Sequence, residues 1–224
     1  LSQFINNYFP GSDQQAKKSD PSNFNFEIQL HNHPILSKVL FPELIEFEPG
    51  IIQGSFDSEK NDLQLTAKVR KIVYGSTEIN DFAIDVNSDN TALNYEISSS
   101  AISNSQINLD NFLFDGKLAG NKIFANISST DGKNKKLLIK AQIAKNKENY
   151  KLLLDPEEFY LMNNQWSIAA DNFIEFGKKG FLIHHLFMNY AESQINIASV
   201  YDQFNDDLNW AIKNFRLGEI SRNL

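Results

Sequence analysis

Few side chains in this sequence have types and spacing that could do chemistry: four histidines, two adjacent carboxylate pairs and two tryptophans. His31 and His33 are two residues apart, so an extended backbone points both the same way. Two imidazoles are only part of a zinc set, which takes a third or fourth ligand in tetrahedral geometry. The chain has no cysteine, which removes disulfides, thiolate ligands and thiol nucleophiles together. The pair therefore reads as structural and polar. His184 and His185 are neighbours and point to opposite faces of a strand, where the broken alternation looks like a β-bulge. Glu157-Glu158 and Asp206-Asp207 could act as acid and base only inside an apolar cleft, and both lie in polar, turn-like stretches. Asn126-Ile127-Ser128 is a glycan acceptor pattern only in a eukaryotic secretory setting. Nucleophile-elbow, phosphate-cradling and dinucleotide motifs are absent. The reading is no enzyme, no metal and no cofactor.

The elements that carry these residues are almost all strands. Apolar and polar residues alternate at Phe24, Phe26, Ile28 and Leu30; at Phe82, Ile84 and Val86; and at Leu93, Tyr95 and Ile97. The pattern recurs at Ile107 and Leu109, at Trp166 and Ile168, at Ile195 and Ile197, and at Leu208, Trp210 and Ile212. A period of two gives strands with one apolar and one wet face. Few segments could form covering helices. The apolar faces must roll up, pack on another sheet, or bury something that is not protein. Trp166 and Trp210 stand at inward positions, which suits core packing unless the inward face is itself the binding site.

Leu1, Phe4, Ile5, Tyr8 and Phe9 follow helical spacing, stopped by Pro10 and Gly11, so residues 1–9 are a short amphipathic helix. Residues 10–23 read as a polar linker or mobile loop. A first β unit runs over 24–154, with a short helix near 34–41 built on Ile35, Leu36, Val39 and Leu40. Asp155-Pro156 opens a crossing loop over 155–164, and a second β unit continues through 165–224. Turns are expected at Ser58 to Asp62, Ser88 to Asn90, Asp115-Gly116, Asp131-Gly132 and Lys145 to Asn149. Strands flank a short apolar helix or crossing loop on both sides of Asp155, a weak internal echo.

The net charge is −7 and the pI near 5.1, which argues against nucleic acid and against anionic head groups as partners. Eighteen phenylalanines in 224 residues mean that the apolar faces are lined by large side chains. No apolar run approaches the ~18 residues of a membrane span. The chain starts at Leu1, not Met, and reads as a piece of something longer.

The stretch Glu48-Pro49-Gly50-Ile51-Ile52-Gln53-Gly54-Ser55-Phe56 resembles the recurring entry to a sheet unit in the translocation and assembly module B family, within the AsmA-like group of envelope proteins. Gln165-Trp166-Ser167-Ile168 with Asn172-Phe173-Ile174-Glu175-Phe176 is similar to another pattern of that family. So is Leu208-Asn209-Trp210 with Asn214-Phe215-Arg216-Leu217. The Asn-, Lys-, Ile- and Phe-rich style resembles members from Bacteroidetes-like bacteria. The resemblance implies a periplasmic protein, anchored in the inner membrane by a segment outside this one. It implies an elongated, curved, mostly antiparallel sheet forming a taco-like apolar groove, and an Omp85-type outer-membrane barrel as partner. The implied work is lipid movement between membranes or assistance to outer-membrane protein assembly.

The expectation is therefore an all-β groove for phospholipid acyl chains. Its lining is Phe24, Phe26, Ile28, Leu30, Phe82, Ile84, Val86, Leu93, Tyr95, Ile97, Ile107, Leu109, Trp166, Ile168, Ile195, Ile197, Leu208, Trp210 and Ile212. The alternative is a closed β-sandwich or solenoid from a surface or adhesion protein, whose apolar faces pack on each other.

Overall fold

The structure is a computed structural model, and it describes residues 2–9, 20–146, 148–178, 180–204 and 207–214. The expected linker falls mostly outside these residues, as do Asp206 and the Phe215-Arg216-Leu217 part of the last family-like stretch. The fold is all-β, with helix limited to short pieces. The first half of the chain gives α1 (Ser2–Asn6), β1 (Asn23–Leu30), a π-type turn (Leu36–Leu40), β2 (Leu44–Phe47), β3 (Gly50–Asp57) and β4 (Asp62–Tyr74). There follow β5 (Thr77–Ser88), β6 (Leu93–Ser103), β7 (Asn108–Ala119), β8 (Lys122–Asp131), β9 (Asn134–Asn146) and β10 (Asn149–Leu154). Then come β11 (Tyr160–Leu161), β12 (Asn164–Gln165), β13 (Ser167–Ile168), β14 (Phe173–Gly177), β15 (Gly180–His184), β16 (Leu186–Tyr190) and β17 (Ser193–Ser199). A 3-10 turn (Val200–Asp202) precedes β18 (Leu208–Lys213).

Two antiparallel sheets result, neither closed into a barrel. The large one runs β1-β3-β4-β5-β6-β7-β8-β9-β10-β14-β15, with β2 on the far half of β4 and the β11–β12 hairpin on β9. The small one runs β13-β16-β17-β18. So the crossing stretch 155–164 holds a minimal hairpin whose Tyr160 pairs with Leu138. Of the chain beyond it, β14 and β15 extend the large sheet while the rest builds the second. The His184-His185 irregularity is not a bulge within one strand. His185, with φ +44°, is the single residue between β15 and β16, where the chain leaves one sheet for the other.

The expected turn at Asp115-Gly116 is likewise in the wrong place. Both residues lie inside β7, paired with Glu96 and Tyr95. The turn is Gly120-Asn121, whose φ of +57° and +62° suits the two-residue hairpin that β-strand twist favours.

The large sheet is curled, as α1 shows. Phe4 packs on Phe56 of β3 at 5.3 Å between ring centroids, and Phe9 stacks on Tyr150 of β10 at 5.7 Å. These strands stand seven steps apart, about 34 Å across a flat sheet. Hydrogen bonds from Asn7, Tyr8 and Phe9 back to Phe4 and Ile5 keep the bridging segment in helical turns. A helical path from Phe4 to Phe9 advances only about 8 Å. The sheet must bend toward its α1 side for both contacts to exist.

The β5–β6 hairpin recurs thirty positions on as β7–β8: Phe82, Asp85, Ile97, Ser98 and Ser99 match Phe112, Asp115, Ile127, Ser128 and Ser129. Asp81 and Asn111 take left-handed φ of +51° and +46°. In each case a buried serine accompanies the irregularity: Ser99 donates to the Asn80 carbonyl at 2.6 Å, and Ser129 to that of Asp110 at 2.7 Å. A left-handed residue disturbs the ladder, and the hydroxyl captures the carbonyl before it. This hairpin is an internal repeat distinct from the echo around Asp155.

Candidate functional site

Directly paired residues share a face, so the register fixes which side chains of the large sheet stand together. One row runs Ile28–Ile52–Ala67–Ile84–Ile97–Phe114–Ile127–Ile139 across eight strands. The row beside it runs Phe26–Gly54–Leu65–Val86–Tyr95–Gly116–Ala125–Ala141–Leu154. Phe24–Phe56–Leu63 and Leu93–Leu118–Ile123–Ile143–Leu152 flank them on one side, and Leu30–Gly50–Val69–Phe82 on the other. The opposite face carries Asn25, Glu27, Gln53, Gln64, Lys68, Asp85, Glu96, Lys117, Asn126 and Lys140 on the same strands. One side is a continuous apolar floor; the other is mostly polar, with Ile51, Leu113, Phe124 and Leu138 scattered among the polar side chains.

Two glycines keep that floor low. Gly54 lies under the Phe26 ring, and Gly116 under Tyr95, whose hydroxyl donates to the Phe124 carbonyl at 2.8 Å. Neither position has room for a Cβ. Each ring therefore lies across the neighbouring strand, and backbone that a glycine would leave bare is covered. Burial, and after it the charge of Asp115, pushes the Tyr95 phenol up from its ordinary value.

Among the described residues, the floor is covered at two places. At one end α1 closes it: Phe4 and Tyr8 bury against Leu93, with Phe56, Leu63, Val86, Tyr95 and Leu118 around them. The Tyr8 hydroxyl reaches the carbonyl oxygens of Asn61 and Asp89, and the Asn121 amide donates to the Tyr8 carbonyl. All three partners lie in turns at the same end of the sheet. Along one side the small sheet closes the floor: Phe159, Trp166, Ile168, Leu186 and Met188 form a core with Ile139, Leu154, Ile174, Ile183, Ile195 and Ile197. Between these covers Ile52, Leu65, Ile84, Ile97, Phe114 and Ile127 stay only half-buried, and Ile28 is 48% exposed.

The expected lining thus divides. Phe24, Phe26, Ile28, Leu30, Phe82, Ile84, Val86, Leu93, Tyr95 and Ile97 all stand on the apolar floor, with Leu93 beneath α1. Trp166 and Ile168, at 4% and 7% exposure, are core residues of the closed side and not lining, and Ile195 and Ile197 pack against them. Leu208, Trp210 and Ile212 share the face of Ile195 and Ile197 by register, yet lie on the exposed edge strand β18. Ile107 sits in the turn before β7. Leu109 pairs with Ile102, which pairs with Ile79, in a ladder out of step with the main rows beyond the left-handed Asp81 and Asn111. Sequence reading missed β3 and β8 as contributors (Ile52 and Ile127), and of β7 it named Leu109 but not Phe114. The thirty-residue hairpin repeat was the signal that pairs Ile97 with Ile127.

The reactive side chains do not converge on this floor. His31 and His33 are exposed, and the His33 Nδ1 accepts the Ile35 amide at 3.2 Å. Asp171 accepts from His185 at 2.7 Å and lies 3.7 Å from His184, tying together the two crossings between the sheets. The hydrogen bond from His185 chiefly holds the Asp171 carboxyl below its ordinary range. Glu158 is clamped by Lys140 and Lys135, at 2.7 and 2.9 Å. Among the described residues no group of three His, Asp or Glu could hold a metal ion, and no helix is long and apolar enough to cross a membrane. Comparison with protein-family models, with curated proteins and with solved structures finds no match to the chain.

Proposed function

We propose that this chain is a lipid-carrying module whose open β floor solvates phospholipid acyl chains. The observation that carries the reading is the set of aligned apolar rows from β1 to β8, which no second layer of described residues covers in the middle. Each methylene moved from water onto such a surface contributes up to about 0.8 kcal/mol, so an acyl chain needs no specific polar site to stay bound. The wet outer face keeps the module soluble around its cargo. The resemblance to AsmA-like envelope proteins adds the setting: a periplasmic segment of a bridge between inner and outer membranes, working with an Omp85-type barrel. A non-catalytic role suits the scattered reactive side chains.

The second reading, a closed sandwich that binds through its loops, draws on the packing of the small sheet over β9, β10, β14 and β15. The two are separated by a photo-crosslinking amino acid placed singly at Ile28, Ile97, Gln29, Ser98 and Ile197 in cells. Lipid adducts are expected at Ile28 and Ile97, with none at the outward Gln29 and Ser98 and none at the core position Ile197. Equal labelling of inward and outward positions, or no lipid adduct anywhere, favours the sandwich.

A further inference from the structure

The segment between β1 and β3 carries the densest exposed apolar surface among the described residues. Ile35, Val39, Leu40, Phe41 and Ile45 are 53%, 67%, 58%, 51% and 69% exposed, and the π-type turn at its centre buries nothing. The segment is nonetheless built. The Leu36 amide donates to the His33 carbonyl, Phe41 to Leu36 and Leu44 to Phe41, while β2 anchors its end on β4. Folding has fixed the backbone and left the side chains outside.

We infer that this segment is a membrane-docking tip that inserts into a lipid surface and brings the uncovered end of the apolar floor to it. Position supports the bilayer as occupant. The tip springs from Leu30 and returns at Gly50, the row at the opposite end from α1, so it stands at the end of the floor that α1 leaves free. Composition supports it too. In a chain of net charge −7, residues 34–42 contain no carboxylate, one lysine and one serine. Such a stretch offers almost nothing for the directional hydrogen bonds of a protein partner, but it suits the acyl boundary, with Lys38 left at phosphate level. Of the three carboxylates that follow, Glu43, Glu46 and Glu48, two are paired: Glu46 with Lys71 at 3.1 Å and Glu48 with Arg70 at 3.0 Å. One helical turn is deep enough to reach the acyl boundary, about 5–10 Å below the head groups. The charge balance selects a zwitterionic surface over an anionic one.

The inference rests on the lipid-carrier reading for its purpose, but its test is separate. The full chain is floated with phosphatidylcholine vesicles beside a Val39→Asp/Leu40→Asp variant, and both are titrated in solution with a fluorescent fatty acid. Both substituted residues are exposed, and circular dichroism checks that the fold is kept. The unaltered chain should float, the variant's vesicle-bound fraction should fall roughly tenfold or more, and fatty-acid binding should stay equal. Because the chain has no cysteine, Ser37→Cys takes a single environment-sensitive label, whose emission should shift to the blue on the same vesicles. An unaltered chain that does not float overturns the tip, as does a variant that floats equally well. It is overturned too if the variant instead abolishes self-association, which would assign the surface to a second copy. Flotation without fatty-acid binding leaves the tip standing and removes the carrier reading.

Discussion

Ile97 and Ile197 come from the same kind of sequence, an alternating run on an antiparallel strand, yet they have different surroundings. Ile197 packs against the core of Trp166, Ile168, Leu186 and Met188. Ile97 lies in a row with Ile84 and Phe114, and nothing stands over it among the described residues. Alternation says which side of a sheet is apolar. Whether that side becomes a dry core or an open surface depends on a second layer, and a second layer is a long-range matter that no local pattern encodes. In this chain two crossings supply it, one between β13 and β14 and one at His185, where the backbone passes between the large sheet and the small one.

The sharpest way to break the comparison is to shorten one side chain in each region. Trp166→Ala removes a nearly fully buried ring that lies tilted against Tyr190 and donates to the Leu161 carbonyl at 3.1 Å. It should cost about 3–5 kcal/mol in denaturant titration. Ile97→Ala, on the half-exposed floor, should cost only about 1 kcal/mol while weakening fatty-acid binding. Equal losses at both positions would mean that the floor is covered after all.

A second substitution tests how the closed side is locked. Asn172, 1% exposed, accepts the Leu154 amide at 3.0 Å and donates to the carbonyls of Leu154 at 3.0 Å and Ala169 at 2.7 Å. Its side chain thus stitches the crossing between β13 and β14 to the end of β10. Asn172→Ala strands several backbone groups away from water, at a cost of about 2–3 kcal/mol. Hydrogen exchange should show the Leu154 amide losing protection, with the β4–β7 amides unchanged. Loss of protection in both regions would mean that the two unfold as one.

These regions also mark what could be read beforehand. The strands, the all-β class, the short N-terminal helix and the inward identity of Phe26, Ile84 and Ile97 follow from periodicity, because the side-chain direction of a strand is a local property. Gly116 was misplaced as a turn residue because a glycine that lets Tyr95 cross β7 looks, in sequence, like one that reverses the chain. The fate of Trp166 and the exposure of Trp210 were illegible for a different reason. Both depend on where β16 and β17 come to rest, and strand order is set by packing between segments far apart in the chain. Residues 34–41 were legible as a short helical piece, but not as one that buries nothing.

The smallest expected effect concerns acid, and it acts on the strap that joins the two regions. Glu158 lies in the 155–164 stretch beside the buried Phe159, and its carboxylate is held by Lys140 and Lys135 of β9. The hydrogen bonds from the two lysines, Lys140 foremost, and then their charges, pull its pKa down to about 2. An unfolded chain would return it to about 4.3. A group depressed on folding contributes stability that is fully present above its unfolded pKa and is lost as pH falls through its folded one. The contribution should therefore be intact at neutral pH, begin to fade below about pH 5 and be gone near pH 2. The same contact raises the Lys140 pKa, chiefly through its hydrogen bond to Glu158, so the titration in this range belongs to the carboxylate. Asp171, lowered at the sheet crossing chiefly by His185, moves in the same direction, so Glu158→Gln should remove only part of the acid dependence. Stability measured against pH should give a shallower slope for the variant between about pH 5 and 2, and the difference should appear in Trp166 emission, from the closed side. A slope unchanged by Glu158→Gln would mean that the strap does not hold the small sheet to the large one.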